Sequence, residues 1–190
     1  MNYLRKADAA QGSLEQVASE RGVRLEQAFA NARLVVVIDQ SGSMASMDSR
    51  DGRERFEVAE TELRRIQELY PGAVAVFEFS DTIRFCPDGV PTRMGKGTDM
   101  AGALRFVRDL DTLYDIVVIS DGEPDNERMA MSIARTFKGP VNTIYIGPAG
   151  GDGERFLREL AHATGGREYR GDKPGELMPG VIALLGGGSQ

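Results

Sequence analysis

The sequence predicts an α/β fold: a doubly wound, mostly parallel sheet with helices on both faces. Two apolar runs, Leu34-Val35-Val36-Val37-Ile38 and Ile116-Val117-Val118-Ile119, are hydrophobic at successive positions, as strands covered on both faces must be. Stretches with apolar residues every three or four positions lie between the strand candidates. Strands and helices alternate through short loops, the pattern of a parallel sheet wrapped by its own crossovers.

A chain of 190 residues, 41% apolar and 27% charged, is long enough to bury a substantial core and short enough for one domain. Its net charge is -6, and acidic and basic residues are interspersed, so no basic stripe offers a site to nucleic acid. Cys86 is the one cysteine, which leaves no internal disulfide. The start, Met1 to Asp8, lacks the apolar centre of a signal peptide, and no apolar run approaches the roughly 20 residues that span a bilayer. A cytoplasmic protein without a membrane partner is the expectation.

Residues 1–32 read as an N-terminal helical extension. Leu14, Val17, Ala18, Leu25, Ala28 and Phe29 recur at helical spacing after the candidate cap Ser13, which gives one or two amphipathic helices with Gly22 as the candidate break. The stripe fits packing against the sheet better than docking of a partner. The first strand spans 33–39 and a loop follows to Gly52. From Arg53 to Tyr70, Phe56, Ala59, Leu63, Ile66 and Tyr70 share one helix face, and Pro71-Gly72 ends that helix. The strand candidates 73–80 and 83–86 are separated only by Asp81 and Thr82, so they form an antiparallel hairpin at a sheet edge. A loop over 87–98 leads into a helix over 99–110. There follow a strand at 114–121, a helix at 125–137, a strand at 141–146, a helix at 154–164, a short strand at 167–170 and a last helix at 176–185. Residues 186–190 make a flexible, glycine-rich tail.

Chemistry concentrates where the first strand ends. Asp39-Gln40-Ser41-Gly42-Ser43 places a carboxylate and two hydroxyls at alternate positions, with Gly42 free to let the backbone turn. All three are hard oxygen donors, suited to Mg2+ or a similar ion, and three are too few for an octahedral cation. In doubly wound sheets ligands bind beyond the carboxyl ends of the strands, where the winding reverses. The second buried strand ends at Asp121, and Thr98 lies in the loop before the 99–110 helix. Asp39, Ser41, Ser43, Thr98 and Asp121 thus supply five oxygen donors from three loops.

Those three elements in order, Asp39-Gln40-Ser41-Gly42-Ser43, Gly97-Thr98-Asp99 and Ser120-Asp121-Gly122, resemble the complete metal-ion-dependent adhesion site of von Willebrand factor type A domains. The resemblance covers residues 33–185. It implies a six-stranded sheet with one antiparallel edge strand, serines bound directly to Mg2+ (Mn2+ or Ca2+ as substitutes), and Thr98 and Asp121 exchanging direct and water-mediated contact as a partner docks. A hydroxyl-rich shell leaves much of the ion's charge uncancelled, so an Asp or Glu of a protein partner is the expected final ligand. Intracellular members of the family often work in multi-protein assemblies beside ATPases, and the resemblance extends that expectation to this chain.

Plainer roles stand beside these. Taken singly, Ser41, Ser43 and Thr98 suit turns and caps. Asp99 and Asp125 are expected at helix starts, and Glu123 in solvent beside the site. Met44, Met47, Met94 and Met100 are expected mostly in the core, with a contact rim as the alternative. An enzyme is not expected. His162 is the single histidine, without an evident triad partner, and one cysteine with one histidine cannot form an intramolecular zinc site of the Cys/His type. The 89–98 segment misses the phosphate-loop pattern, the glycine-rich stretch 147–153 reads as a plain loop, and Ser41 stands where a phosphoryl-transfer enzyme would place its second aspartate. A metal-dependent phosphohydrolase and a purely structural module are the alternatives.

Overall fold

The computed structural model describes residues 9–49, 52–93, 95–111 and 113–171. Met94, the helix expected at 176–185 and the tail at 186–190 lie outside the described residues. Six strands, β1 (Leu34–Asp39), β2 (Val74–Phe79), β3 (Ile83–Phe85), β4 (Asp115–Ser120), β5 (Val141–Tyr145) and β6 (Glu168–Arg170), form one sheet in the order β3-β2-β1-β4-β5-β6. All neighbours are parallel except β2 and β3, whose hairpin forms one edge. The doubly wound α/β sheet with an antiparallel edge strand is therefore the fold that the sequence and its resemblance imply.

Alternation along the strands sorts side chains into two cores. Leu34, Val36, Ile38, Val74, Val76, Val117 and Ile119 face helix α3 (Arg55–Leu69), which presents Phe56, Ala59, Leu63 and Ile66. Val35, Val37, Ala75, Phe77, Ile116 and Val118 face the other side. There they meet α4 (Met100–Val107), α5 (Glu127–Ala134) and α6 (Asp152–Thr164). β1 and β4 carry no exposed side chain, as their unbroken apolar runs require.

The amino-terminal helices, Leu14–Arg21 and Leu25–Ala30, join that second core through Leu14, Ala18 and Ala28. Ser13 caps the first by accepting the Gln16 N–H, and Gly22, at φ 63°, ends it in the left-handed conformation. Phe29 sets its ring nearly perpendicular to Phe77 and Phe85, at centroid distances of 6.3 and 5.5 Å. The preceding backbone is tied to the body: Ala10 N–H donates to the Asp88 carbonyl at 2.8 Å and Glu15 N–H to that of Pro87 at 2.9 Å.

Sheet order fixes the site. From β1 the chain winds outward to β2 and β3, returns to β4 on the other side of β1, and winds away through β5 and β6. The carboxyl ends of β1 and β4 thus border the crevice where winding reverses.

Candidate metal centre

Register brings the first two donors together. The β1–β4 pairing ends at Ile38 opposite Ile119, so Asp39 and Ser120 come level one residue later, and the Ser120 hydroxyl donates to Asp39 Oδ2 at 2.6 Å. Asp39 Oδ1 accepts the Ser41 N–H at 2.8 Å, which turns the backbone so that the Ser41 and Ser43 hydroxyls stand 3.0 Å apart. Ser120 Oγ also accepts the Gly122 N–H at 2.9 Å, fixing the turn that carries Asp121. Asp39 is wholly buried, and its carboxyl is pushed up to about 6, first by burial and then by the Asp121 charge, against hydrogen bonds from Ser120 and Ser41.

Asp121, also buried, has a cation beside it. Arg55, at the first turn of α3 and 7% exposed, donates from Nη1 to Asp121 Oδ2 at 2.8 Å and to Glu123 Oε1 at 3.1 Å. Its Nε and Nη2 grip Asp48 in a two-pronged pair at 2.8 and 2.9 Å. The bond to Arg55 holds the Asp48 carboxyl below its ordinary value. The guanidinium is pushed above its own, chiefly by Asp48.

The third loop is stitched to the other two. Thr98 N–H donates to Asp125 Oδ2 at 2.9 Å, and Asp125 N–H returns a bond to the Thr98 carbonyl at 3.1 Å. Asp99 N–H reaches the Ser80 carbonyl beyond β2 at 2.8 Å. The carbonyls of Gly95 and Lys96 lie over Gly42, where a methyl group would meet them at 3.8 Å. With its backbone so engaged, buried Thr98 keeps a hydroxyl that makes no hydrogen bond among the described residues.

Asp39, Ser41, Ser43 and Asp121 therefore form one hydrogen-bonded and charge-coupled group, and Thr98 is held by its backbone on the adjoining loop. Several side chains depart from expectation. Asp99 does cap α4, accepting the Gly102 N–H at 2.9 Å, but Asn126 rather than Asp125 caps α5; Asp125 is spent on Thr98. Glu123 is not merely solvated, since it shares Arg55 with Asp121. Met44 and Met100 are core residues at 1% exposure, while Met47 is 72% exposed and stands alone. His162 lies exposed on α6. Sequence reasoning missed Arg55, Asp48 and Ser120. A signal for Arg55 existed: it sits three and four residues before the buried Val58 and Ala59, and a cation at a helix start opposes the helix dipole unless carboxylates face it.

The donor set fits a hard divalent cation. Of two buried, charge-coupled carboxylates, Asp39 and Asp121, only Asp121 carries a bond from the Arg55 guanidinium. The remaining candidates, Ser41, Ser43 and Thr98, are neutral hydroxyls. Among the described residues no cluster of three or more His, Cys, Asp or Glu forms a metal site, so any ion here depends on those hydroxyls. Ser41 borders a cavity of about 250 Å3, lined also by Gln40, Gly42, Glu54, Phe56 and Arg93; Arg55 borders another of about 500 Å3 with Glu123, Tyr145, Pro148 and Gly151.

No protein-family model and no curated protein matches the chain. Solved structures do. An aerotolerance-related membrane protein from Bacteroides fragilis is similar over 82% of this chain and 97% of its own, with TM-score 0.61 and 16% identity. BatB from Bacteroides thetaiotaomicron is similar over 82% and 98%, with TM-score 0.57 and 15% identity. At such identity the likeness shows a shared fold. No helix among the described residues is long and apolar enough to cross a membrane.

Proposed function

We propose that this chain is a divalent-metal-dependent protein-interaction module, in which Asp39, Ser41, Ser43, Thr98 and Asp121 hold Mg2+ or a similar ion that captures an acidic side chain of a partner. The observation that carries this reading is that buried Asp39 is coupled both to buried Asp121 and, through the Ser41 N–H, to the turn bearing the Ser41 and Ser43 hydroxyls, at the crevice between β1 and β4. Asp39 contributes charge, fixed by Ser120 and by the Ser41 N–H. Ser41 and Ser43 offer oxygens without adding charge. Asp125 ties the backbone of the Thr98 loop to the loop that follows Asp121. The bound ion would supply Lewis acidity and an exchangeable ligand position; the chain orients the donors and keeps bulk water from Asp39 and Asp121. Each unit charge pair is worth roughly 4 kcal/mol at about 4 Å and an effective dielectric near 20, so a partner carboxylate suits an ion with few charged ligands. Membership in a cytoplasmic, ATPase-containing assembly belongs to the same proposal and rests on the resemblance alone.

Calorimetric titration of the chelator-treated protein with Mg2+, Mn2+ and Ca2+ tests this. A single saturable site is expected, lost in an Asp39→Ala variant whose circular dichroism is unchanged. A glutamate-bearing peptide should then displace water from bound Mn2+, read by proton relaxation, where its glutamine version does not. Metal affinity unchanged in Asp39→Ala would overturn the assignment.

A further inference from the structure

We infer that Arg55 is a built-in counter-ion of this site, which holds Asp121 when no metal is bound and must release it, while keeping Asp48, for a divalent ion to be seated. The inference rests on the metal reading above and adds a regulatory element to it.

Four features of the structure carry it. The guanidinium is divided between two jobs: Nη1 serves Asp121 and Glu123, at 2.8 and 3.1 Å, while Nε and Nη2 serve Asp48, at 2.8 and 2.9 Å. Losing the Nη1 contacts leaves a complete two-pronged ion pair on the outer side, so Arg55 has somewhere to remain. Second, Asp121 Oδ2 is the atom that Arg55 occupies, and a cation on that oxygen competes with any ion that Asp121 would help to hold. Third, Arg55 borders a cavity of about 500 Å3 together with Glu123, Tyr145 and Pro148, so open space adjoins this side chain. Fourth, Arg55 stands at the amino-terminal turn of the 15-residue α3, where the helix dipole repels a cation, so only the carboxylates keep it there.

A merely structural ion pair predicts the opposite behaviour on substitution. Removing a structural partner loosens Asp121 and weakens metal binding; removing a competing cation frees Asp121 and strengthens it.

The test compares Mn2+ titration of the natural chain and of Arg55→Gln at neutral pH and low salt, with melting curves with and without Mn2+. We expect Arg55→Gln to bind Mn2+ about tenfold more tightly and to gain more in melting temperature from the ion. In the natural chain, the side-chain nitrogen resonances of Arg55 followed by NMR during Mg2+ titration should shift at Nη1 and hold at Nε, saturating with the ion. That second measurement stands even where the variant does not fold. Equal or weaker Mn2+ affinity in a folded Arg55→Gln, or an Nη1 resonance indifferent to bound Mg2+, overturns the inference and leaves the metal reading intact. Absence of metal binding in both proteins overturns both.

Discussion

Replacing Asp39 by asparagine should make the metal-free protein more stable at alkaline pH and less stable in acid. Asp39 is wholly buried, and its pKa rises from 3.8 to about 6. A raised carboxyl pKa means that the folded chain holds the proton more tightly than the unfolded chain. The resulting stabilisation is complete below about pH 3.8 and is lost as pH passes through about 6. The difference of about 2.2 units corresponds to about 3 kcal/mol between those limits. Asparagine has no such ionisation. Its carbonyl can still accept the Ser41 N–H, but its NH2 meets the Ser120 hydroxyl that now donates to Asp39 Oδ2, and rearranging that hydrogen bond costs about 1 kcal/mol. In excess chelator, Asp39→Asn should therefore be about 2 kcal/mol more stable than the natural chain near pH 8 and about 0.5 kcal/mol less stable near pH 4. Urea denaturation with matched slopes at each pH measures the difference. Mn2+ should reverse the order at pH 8, because a site at a hundredfold excess over its Kd adds about 2.7 kcal/mol to the natural chain alone. A stability difference between the two proteins that stays constant from pH 4 to 8 would refute the reasoning, because it would mean that Asp39 carries no proton-linked cost.

Three further outcomes follow from particular contacts. Mn2+ affinity of the natural chain should fall about tenfold per pH unit below pH 6 as protons compete for Asp39, and a flat titration series between pH 5 and 7 would exclude that carboxylate as a ligand. Gly122→Ala should destabilise by about 3 kcal/mol or more, because φ is 73° there and the new methyl would lie 2.2 Å from the Gly153 carbonyl oxygen; chemical denaturation showing a loss under 1 kcal/mol would mean that this turn relaxes freely. Phe29→Ala should cost about 2–3 kcal/mol through its contacts with Phe77, Phe85 and Tyr114, and should speed proteolytic cleavage within residues 9–32; an unchanged cleavage rate would show that the amino-terminal helices do not depend on that aromatic cluster.

What the sequence makes legible is what neighbouring residues decide. Val35 to Ile38 and Ile116 to Ile119 announce buried strands through their own side chains, and an aspartate at or just past the end of each needs no distant information to stand out. The hairpin of β2 and β3 follows from a two-residue gap between strand candidates. Arg55 escapes that reading because three of its four carboxylate oxygens belong to Asp48, seven residues away, and to Glu123, and the fourth to Asp121, 66 residues away. Ser120 escapes because a hydroxyl at a strand end gains its role only from the register of β4 against β1. Asp125 and Asn126 are both able to cap a helix, and nothing local ranks them. The choice is made by Thr98, 27 residues upstream, whose N–H needs the Asp125 carboxylate.

Charge balance explains why a site of this composition can fold before it meets a metal. An oxygen cage built mostly of carboxylates would bury several like charges in the metal-free chain, and each unpaired one costs several kcal/mol after relaxation. Here the charged donors are limited to Asp39 and Asp121. One is eased by partial protonation near pH 6 and by two hydrogen bonds, the other by the Arg55 guanidinium. Ser41, Ser43 and Thr98 complete the donor set at no charge. The same economy weakens the site's hold on a cation, since hydroxyls give less than carboxylates and Arg55 subtracts from Asp121. On the proposed metal-dependent reading, a partner carboxylate is the strongest further ligand such an ion would take. On this argument, substituting Ser41 by aspartate should tighten Mn2+ binding and weaken capture of a glutamate-bearing peptide in the same protein, and a variant that tightened both would break the link between low ligand charge and partner recognition.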